Sequence, residues 1–275
     1  MPSNDQPNPI AADGLPARAS GDWIRRKHHY LDRYCGITAT GMKNRFSSRV
    51  FMDVMAGSGI CKLKETGEEL HGSPLIEMKH AFTKFVFIES DSVLAAALET
   101  RVQAHPKAQL ATVICDDWTK VVANGRLDFD GLVVAFVDPT GIAQAPWTAV
   151  ERLLRGNRSI DLLTTLQYSM GITLNLYQYI EAEPNKTTAL DLFLGERDWR
   201  TWKRERSDSE FTERVLTRYL EKCGSLGFQS SRQITVGARD FAFRYRLALL
   251  SRHPKADEFW QKIITVDESG QRELL

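Results

Sequence analysis

The sequence predicts an α/β fold on a mainly parallel, seven-stranded sheet, and two features of its pattern carry that expectation. Near-continuous apolar runs, VFMDVMA (50–56), FVFIES (85–90), LATVICD (110–116), LVVAFVD (132–138) and SIDLLTTLQ (159–167), alternate with helical patterns. Strands apolar at successive positions are buried on both faces, as in a parallel sheet covered by helices. FQSSRQITV (228–236) and FAFRYRLALLSRH (241–253) are then joined only by GARD. So short a link makes that pair antiparallel, because a parallel crossover needs about a dozen residues.

The elements follow in order. Ile24, His28, Leu31 and Cys35 recur at helical spacing in a segment from Trp23 to about Arg45, whose end is blurred by Gly36 and Gly41. Helices are expected from Ser73, where Ser-Pro supplies an N-cap and a first helical position, and through SVLAAALETRVQA. A short helix follows Asp117, another starts near Ala145, and a further segment spans Tyr168 to Ile180. Residues 182–227, with Gly195, Trp199, Trp202 and Tyr219, read as an inserted helical lobe. The Pro- and Asn-rich residues 1–20 read as a disordered tail, leaving 21–275 as a single domain. Parallel strands with one antiparallel strand near the end are the arrangement of the Rossmann-like class I methyltransferase fold.

Composition limits the functional classes. Lys+Arg 36 against Asp+Glu 35 gives a net charge of +1, which is no footprint of a nucleic-acid or membrane binder. The four cysteines, Cys35, Cys61, Cys115 and Cys223, form no CxxC pair and no Cys/His ligand spacing, so no zinc or iron–sulfur site is expected in this chain. They suit reduced thiols of a cytoplasmic protein. The N-terminus has no apolar h-region, and no segment approaches the roughly 18 apolar residues of a membrane span.

In an open α/β sheet, ligands bind beyond the carboxyl ends of the strands. Carboxylates stand at each of the first four: Asp53 before Ala56-Gly57-Ser58-Gly59, Glu89 and Asp91, Asp116 and Asp117, and Asp138-Pro139. The glycine turn fits neither phosphate template. No GxxxxGK[ST] is present, and Lys62 stands where GxGxxG requires a third glycine. Asp53 would repel a pyrophosphate, and thirteen residues, ICKLKETGEELHG, precede the helix that would receive one.

A ligand with a cationic end and vicinal hydroxyls fits better, and S-adenosylmethionine has both. Ala56, Gly57, Ser58 and Gly59 would let the backbone approach its methionine moiety, and Asp53 would balance the ammonium. Glu89 would accept from the ribose hydroxyls with Asp91 beside it, and Asp116 or Asp117, next to Trp118, would take the adenine amino group. Asp91 and Asp117 are equally suited to capping the helices that follow them. The recurrence of carboxylates in strand order favours the cofactor.

Asp138-Pro139-Thr140-Gly141 occupies the acceptor side. It is similar to the [DNS]PP[YF] motif of amino-methyltransferases, with Thr-Gly in place of the second proline and the aromatic. Asp138 and Pro139 are the catalytic candidates. Methyl transfer is an in-line displacement that needs alignment and a free lone pair, and the carboxylate can orient an acceptor. By themselves Asp, Pro and Gly also make an ordinary turn.

DVMAGSG, HGSPLIEM, FVFIESD, FVDPTG and the closing YRLALLSRHPKADEFWQKI, in that order, resemble the three-Cys-motif partner (TcmP) family, over about Lys27 to Ile264. The resemblance implies a methyltransferase-like fold and work alongside a separate radical-type iron–sulfur protein that carries the three cysteines. The chain departs from the family pattern at Met55 and Thr140, each replacing a phenylalanine. Arg25 to His29 and Arg197 to Arg206 are the clear basic clusters, and the second interleaves Trp199 and Trp202 with cations. Such interleaving suits nucleic acid, but packed tryptophans beside solvated cations explain it better. His28, His29 and His71 read as packing or surface residues, and no GxSxG hydrolase motif is present. The expectation is a methyltransferase acting on an unknown acceptor, with a nucleic-acid base or nucleotide as one class. The rival is a non-catalytic, S-adenosylmethionine-binding or scaffold subunit of the iron–sulfur partner.

Overall fold

The computed structural model describes residues 8–202, 207–237 and 244–266. In chain order the elements are β1 (Arg18–Ser20), α1 (Ile24–Gly41), β2 (Arg49–Asp53), β3 (Ile60–Leu63), β4 (Glu69–His71), α2 (Ser73–Glu77), β5 (Lys84–Glu89), α3 (Ser92–Gln103), β6 (Ala111–Cys115) and α4 (Trp118–Ala123). They continue with β7 (Leu132–Val137), α5 (Trp147–Gly156), β8 (Ser159–Leu166), α6 (Tyr168–Gly171), α7 (Leu176–Ile180), α8 (Ala189–Leu194), α9 (Asp208–Ser225), β9 (Gln229–Ser230), β10 (Ile234–Gly237), β11 (Arg244–Ser251) and α10 (Pro254–Ile264).

The main sheet runs β10-β11-β8-β7-β2-β5-β6, with the two-residue β9 added against β11. β2 pairs in parallel with β5 and β7, β5 with β6, and β7 with β8. β11 is antiparallel to both neighbours, with Ile234 opposite Leu247 on β10 and Leu163 opposite Leu249 on β8. All five expected βα units and the single antiparallel strand are therefore present, and the order is that of the class I methyltransferase fold. The GARD link and the start of the last expected strand lie largely outside the described residues.

Alternate residues of each strand feed two cores. Met52, Val86, Val133 and Leu162 pack beneath α4, α5, α8 and α9. Phe51, Phe85, Phe136 and Leu163 pack beneath α1, α3 and α10. All six residues of β7 are buried because helices cover both faces of this central strand. A buried Asp161 on β8 accepts from Tyr34 of α1 at 2.7 Å and from Ser251 of β11 at 2.6 Å, tying one helix to two strands.

Three expectations are corrected. Residues 8–20, read as part of a disordered tail, include β1, which pairs in parallel with β3, and a bridge between Ile10 and Pro16. The loop 60–72 contains β3 and β4, an antiparallel hairpin that completes a separate three-stranded sheet with β1. Alternating apolar positions in such short strands leave little periodicity to read. Ser73 is the first residue of α2, with Gly72 at the cap position.

The helical lobe is fused to the main core. Tyr219 of α9 stacks on Phe193 of α8 at 4.6 Å between ring centroids and meets Trp147 of α5 edge-on at 5.6 Å. Gly195 ends α8 at φ +65°, and a Cβ there would lie 2.8 Å from Trp147 Cδ1. Only glycine combines that backbone with so close an approach.

Candidate functional site

The strand-end carboxylates converge because the parallel strands end together. Asp53 lies opposite Phe87 and Phe136, and Glu89 opposite Cys115. Beyond the strands the ladder continues through single bonds: Val54 N–H donates to Phe136 O at 3.2 Å, Ala56 N–H to Ile88 O at 2.9 Å, and Asp116 N–H to Glu89 O at 3.2 Å.

The glycine turn rests on this frame. Gly57 and Gly59 adopt φ of +65° and +84°, which ordinary residues reach only at a cost. The Gly57 N–H donates to Glu89 Oε2 at 2.8 Å, while Glu89 Oε1 accepts from Asp91 N–H at 2.9 Å. One buried carboxylate thus organises both the turn and the entry to α3. The Gly59 carbonyl accepts from Gly72 N–H at 2.7 Å, and β3 starts immediately at Ile60. No helix N-terminus follows the turn directly.

Arg101, on α3, holds the turn from the other side. Its guanidinium donates to Ser58 O at 2.7 Å, to Pro16 O at 2.8 Å and to Asp13 at 2.8 and 2.9 Å. The N-terminal segment is thereby strapped to the turn. Arg18 of β1 lies across it, with its Cδ 3.5 Å from where a Gly57 Cβ would stand. Nothing in the sequence singles out either arginine, because the fold alone brings positions 13–18, 58 and 101 together.

Asp53 is fully buried. Its carboxylate accepts from Ser73 Oγ at 2.5 Å and from Met55 N–H at 3.1 Å, and burial pushes its pKa up to about 7 against both hydrogen bonds. The carboxylate expected to balance an ammonium thus has one oxygen engaged by Ser73 and the other by Met55. Asp91 Oδ1 accepts from Val93 and Leu94 N–H at 2.8 and 3.1 Å, capping α3. Asp117 caps α4 through Thr119 N–H at 2.8 Å, and Asp116 accepts from Asp117 N–H at 2.8 Å. For Asp91 and Asp117 the capping role foreseen as the alternative is the one seen.

Trp118 is buried, and its indole N–H donates to Gln144 O at 2.9 Å. Gln144 Oε1 in turn accepts from Thr140 N–H at 2.8 Å and Thr140 Oγ1 at 2.9 Å. Thr140 therefore fixes the Asp138-Pro139-Thr140-Gly141 loop, through Gln144 and Trp118, to the end of β6. Gln144 gave no signal in the sequence.

Asp138 pairs with the Lys27 ammonium of α1 and accepts from Thr165 Oγ1 at 2.7 Å. Burial alone would raise its carboxyl, but the Lys27 charge and the hydrogen bonds from Lys27 and Thr165 hold it below the ordinary carboxylate value. Lys27, one residue of the first basic cluster, is 8% exposed and part of the site. Beside it, His28 is buried, and burial together with the Lys27 charge pushes its pKa down to about 3. Pro139, the other catalytic candidate, is buried at the end of β7. In the second basic cluster, the Trp199 indole donates to Asp191 at 2.9 Å and Arg200 pairs with the same carboxylate at 2.5 Å. That cluster packs as far as Trp202, and residues 203–206 lie outside the described residues.

No family model matches the chain, and no curated protein does. Among solved structures, the chain is similar to LPL1258 from Legionella pneumophila at 10% identity and a TM-score of 0.51, over 92% of this chain and 95% of that one. Cofactor-bound Rv0187 from MTB matches at 15% identity and a TM-score of 0.47, over 87% and 84%. Magnesium protoporphyrin IX methyltransferase from Synechocystis PCC 6803, with bound SAH, matches at 10% and 0.42, over 83% and 86%. These likenesses concern the fold, and the functional reading rests on the site. Among the described residues no helix is long and apolar enough to cross a membrane.

Proposed function

We propose that the chain is an S-adenosylmethionine-dependent methyltransferase. One observation carries this reading: a turn with two left-handed glycines at the end of β2, latched by the buried Glu89 from the adjoining β5 and followed by a strand instead of a helix. Residues 56–59 would receive the methionine moiety and Glu89 the ribose, with Asp116 toward the adenine. The bound cofactor supplies an electrophilic methyl group. Asp138, kept ionised by Lys27, is a weak base, so its role is to accept a hydrogen bond from an acceptor N–H or O–H and align its lone pair. A nucleic-acid base or nucleotide is the proposed acceptor class, resting on the similarity of the Asp138-Pro139 loop to the amino-methyltransferase motif. The motif order supports a three-Cys-motif iron–sulfur protein as partner.

A second reading, a cofactor-binding scaffold subunit of that partner, is favoured by the engagement of both Asp138 oxygens with Lys27 and Thr165. Calorimetric titration with S-adenosylmethionine and S-adenosylhomocysteine tests the cofactor, and absence of binding at millimolar ligand would reject it. Co-purification with the iron–sulfur protein tests the partnership. Methyl transfer that survives Asp138→Ala would remove the aspartate from catalysis.

A further inference from the structure

Glu77, the last residue of α2, is fully buried, and its carboxylate oxygens make no hydrogen bond of ordinary geometry, with only the Cys35 thiol beside them as a weak donor. Leaving a buried carboxylate unpaired costs several kcal/mol, so the surroundings of Glu77 are informative. One Glu77 carboxylate oxygen lies 3.8 Å from His80 Nε2, and that nitrogen lies 2.6 Å from Asp32 Oδ1 on α1. One potential ligand atom from each of the three residues falls within 4.8 Å of the others. Donors bound about 2.1 Å from one ion in tetrahedral geometry stand about 3.4 Å apart. The observed 2.6 and 3.8 Å bracket that spacing, the first as a His80–Asp32 hydrogen bond that an ion would replace.

The backbone has made room for this cluster. Gly36 lies one turn beyond Asp32 on α1, and a Cβ there would come within 3.0 Å of His80 Cε1. The missing side chain lets the imidazole lie against the helix. Access is from the rim, where the side chains of Asp32 and His80 are 33% and 17% exposed. Lys79, which pairs with Asp32 at 2.9 Å, is 54% exposed and free to swing into solvent when an ion takes its place.

We propose that Asp32, Glu77 and His80 form a binding site for a first-row divalent cation, with Zn2+ and Mn2+ suited to its two carboxylates and one imidazole. Three protein ligands leave further positions to water. The ion would supply Glu77 with a charged partner and staple α1, which carries Lys27, to α2, whose Ser73 holds Asp53. The cysteine spacing gave no hint of it, because its ligands come from α1 and from either side of the α2 terminus.

The test is titration of the full chain, stripped with EDTA, with ZnCl2 by calorimetry and with MnCl2 by loss of the free Mn2+ electron paramagnetic resonance signal. The expected result is one ion per chain at micromolar concentration, with a rise in melting temperature. Glu77→Gln and, on the exposed rim, His80→Gln should each weaken binding about tenfold or more. Glu77→Gln should melt like the parent in EDTA, yet gain nothing from metal. No binding at millimolar metal, as expected of a buried carboxylic acid that needs no ion, would overturn the proposal. So would binding that both substitutions leave unchanged. The readouts require no methyl donor, so the site stands or falls separately from the proposed function.

Discussion

The Gly57 amide points at Glu89 Oε2 from 2.8 Å, so the same carboxylate that shapes the turn faces the place proposed for a ribose. Glu89→Gln preserves the shape and removes the charge. A hydrogen bond to an ionised group contributes about 1.5–3 kcal/mol, so S-adenosylmethionine affinity should fall between roughly tenfold and a hundredfold by calorimetry. Unchanged affinity would place the ribose elsewhere.

The Lys27–Asp138 pair is mostly shielded, with side chains 10% and 20% exposed. Removing one partner of a shielded pair strands the other, at a cost on the order of 3 kcal/mol. Lys27→Met should therefore lower stability in urea denaturation, and adding Asp138→Asn should recover part of the loss. A double-mutant cycle without coupling would dismiss the pair as a stabilising unit.

Asp53 titrates near 7 in the folded chain, against an ordinary value of 3.8. Between about pH 4 and 7 the folded state keeps a proton that the unfolded state has released. This group's contribution to stability therefore falls as pH rises through that window and stays low above it. Asp53→Asn removes the effect, so its melting temperature relative to the parent should increase from pH 5 to pH 8. His28 acts in the opposite sense. Its pKa of about 3 lies below the ordinary 6.5, so its contribution is lost as pH falls below 6.5. Because His28 is common to both chains, the difference between them isolates Asp53. A difference independent of pH would contradict the buried acid.

Gly57→Ala and Gly195→Ala separate binding from stability. Both glycines have φ +65°, but an added Cβ would make ordinary contact with Arg18 at 3.5 Å in the first case and press on Trp147 at 2.8 Å in the second. Gly57→Ala should cost about 1 kcal/mol of strain and weaken cofactor binding. Gly195→Ala should cost about 2–3 kcal/mol and leave affinity per folded molecule unchanged. Thermal melts and calorimetry on both variants decide the point.

The sheet was legible because its strands are apolar on both faces: LVVAFV can be buried nowhere else. Helix starts were legible where Asp91 and Asp117 precede them, and those same caps explain why two acids expected on a ligand serve the backbone. The three-stranded sheet was hidden because β1, β3 and β4 have three or four residues each and depend on one another for pairing. Lys27, Arg101 and Gln144 escaped for a common reason. Lys27 and Arg101 each act on a residue at least 43 positions away, and Gln144 meets Trp118, 26 positions away, through its backbone carbonyl; no local spacing encodes such contacts.

The placement of β11 between β8 and β10 has a consequence for biosynthesis. β11, the last strand among the described residues, is an interior one, so a nascent chain that has emerged only through residue 243 leaves eight-residue β8 as an open edge. Seven of those eight positions are buried in the finished protein. Until the ribosome has delivered Arg244 to Ser251, that edge can template pairing with other chains. Truncation before this strand should therefore yield aggregates instead of a smaller soluble protein.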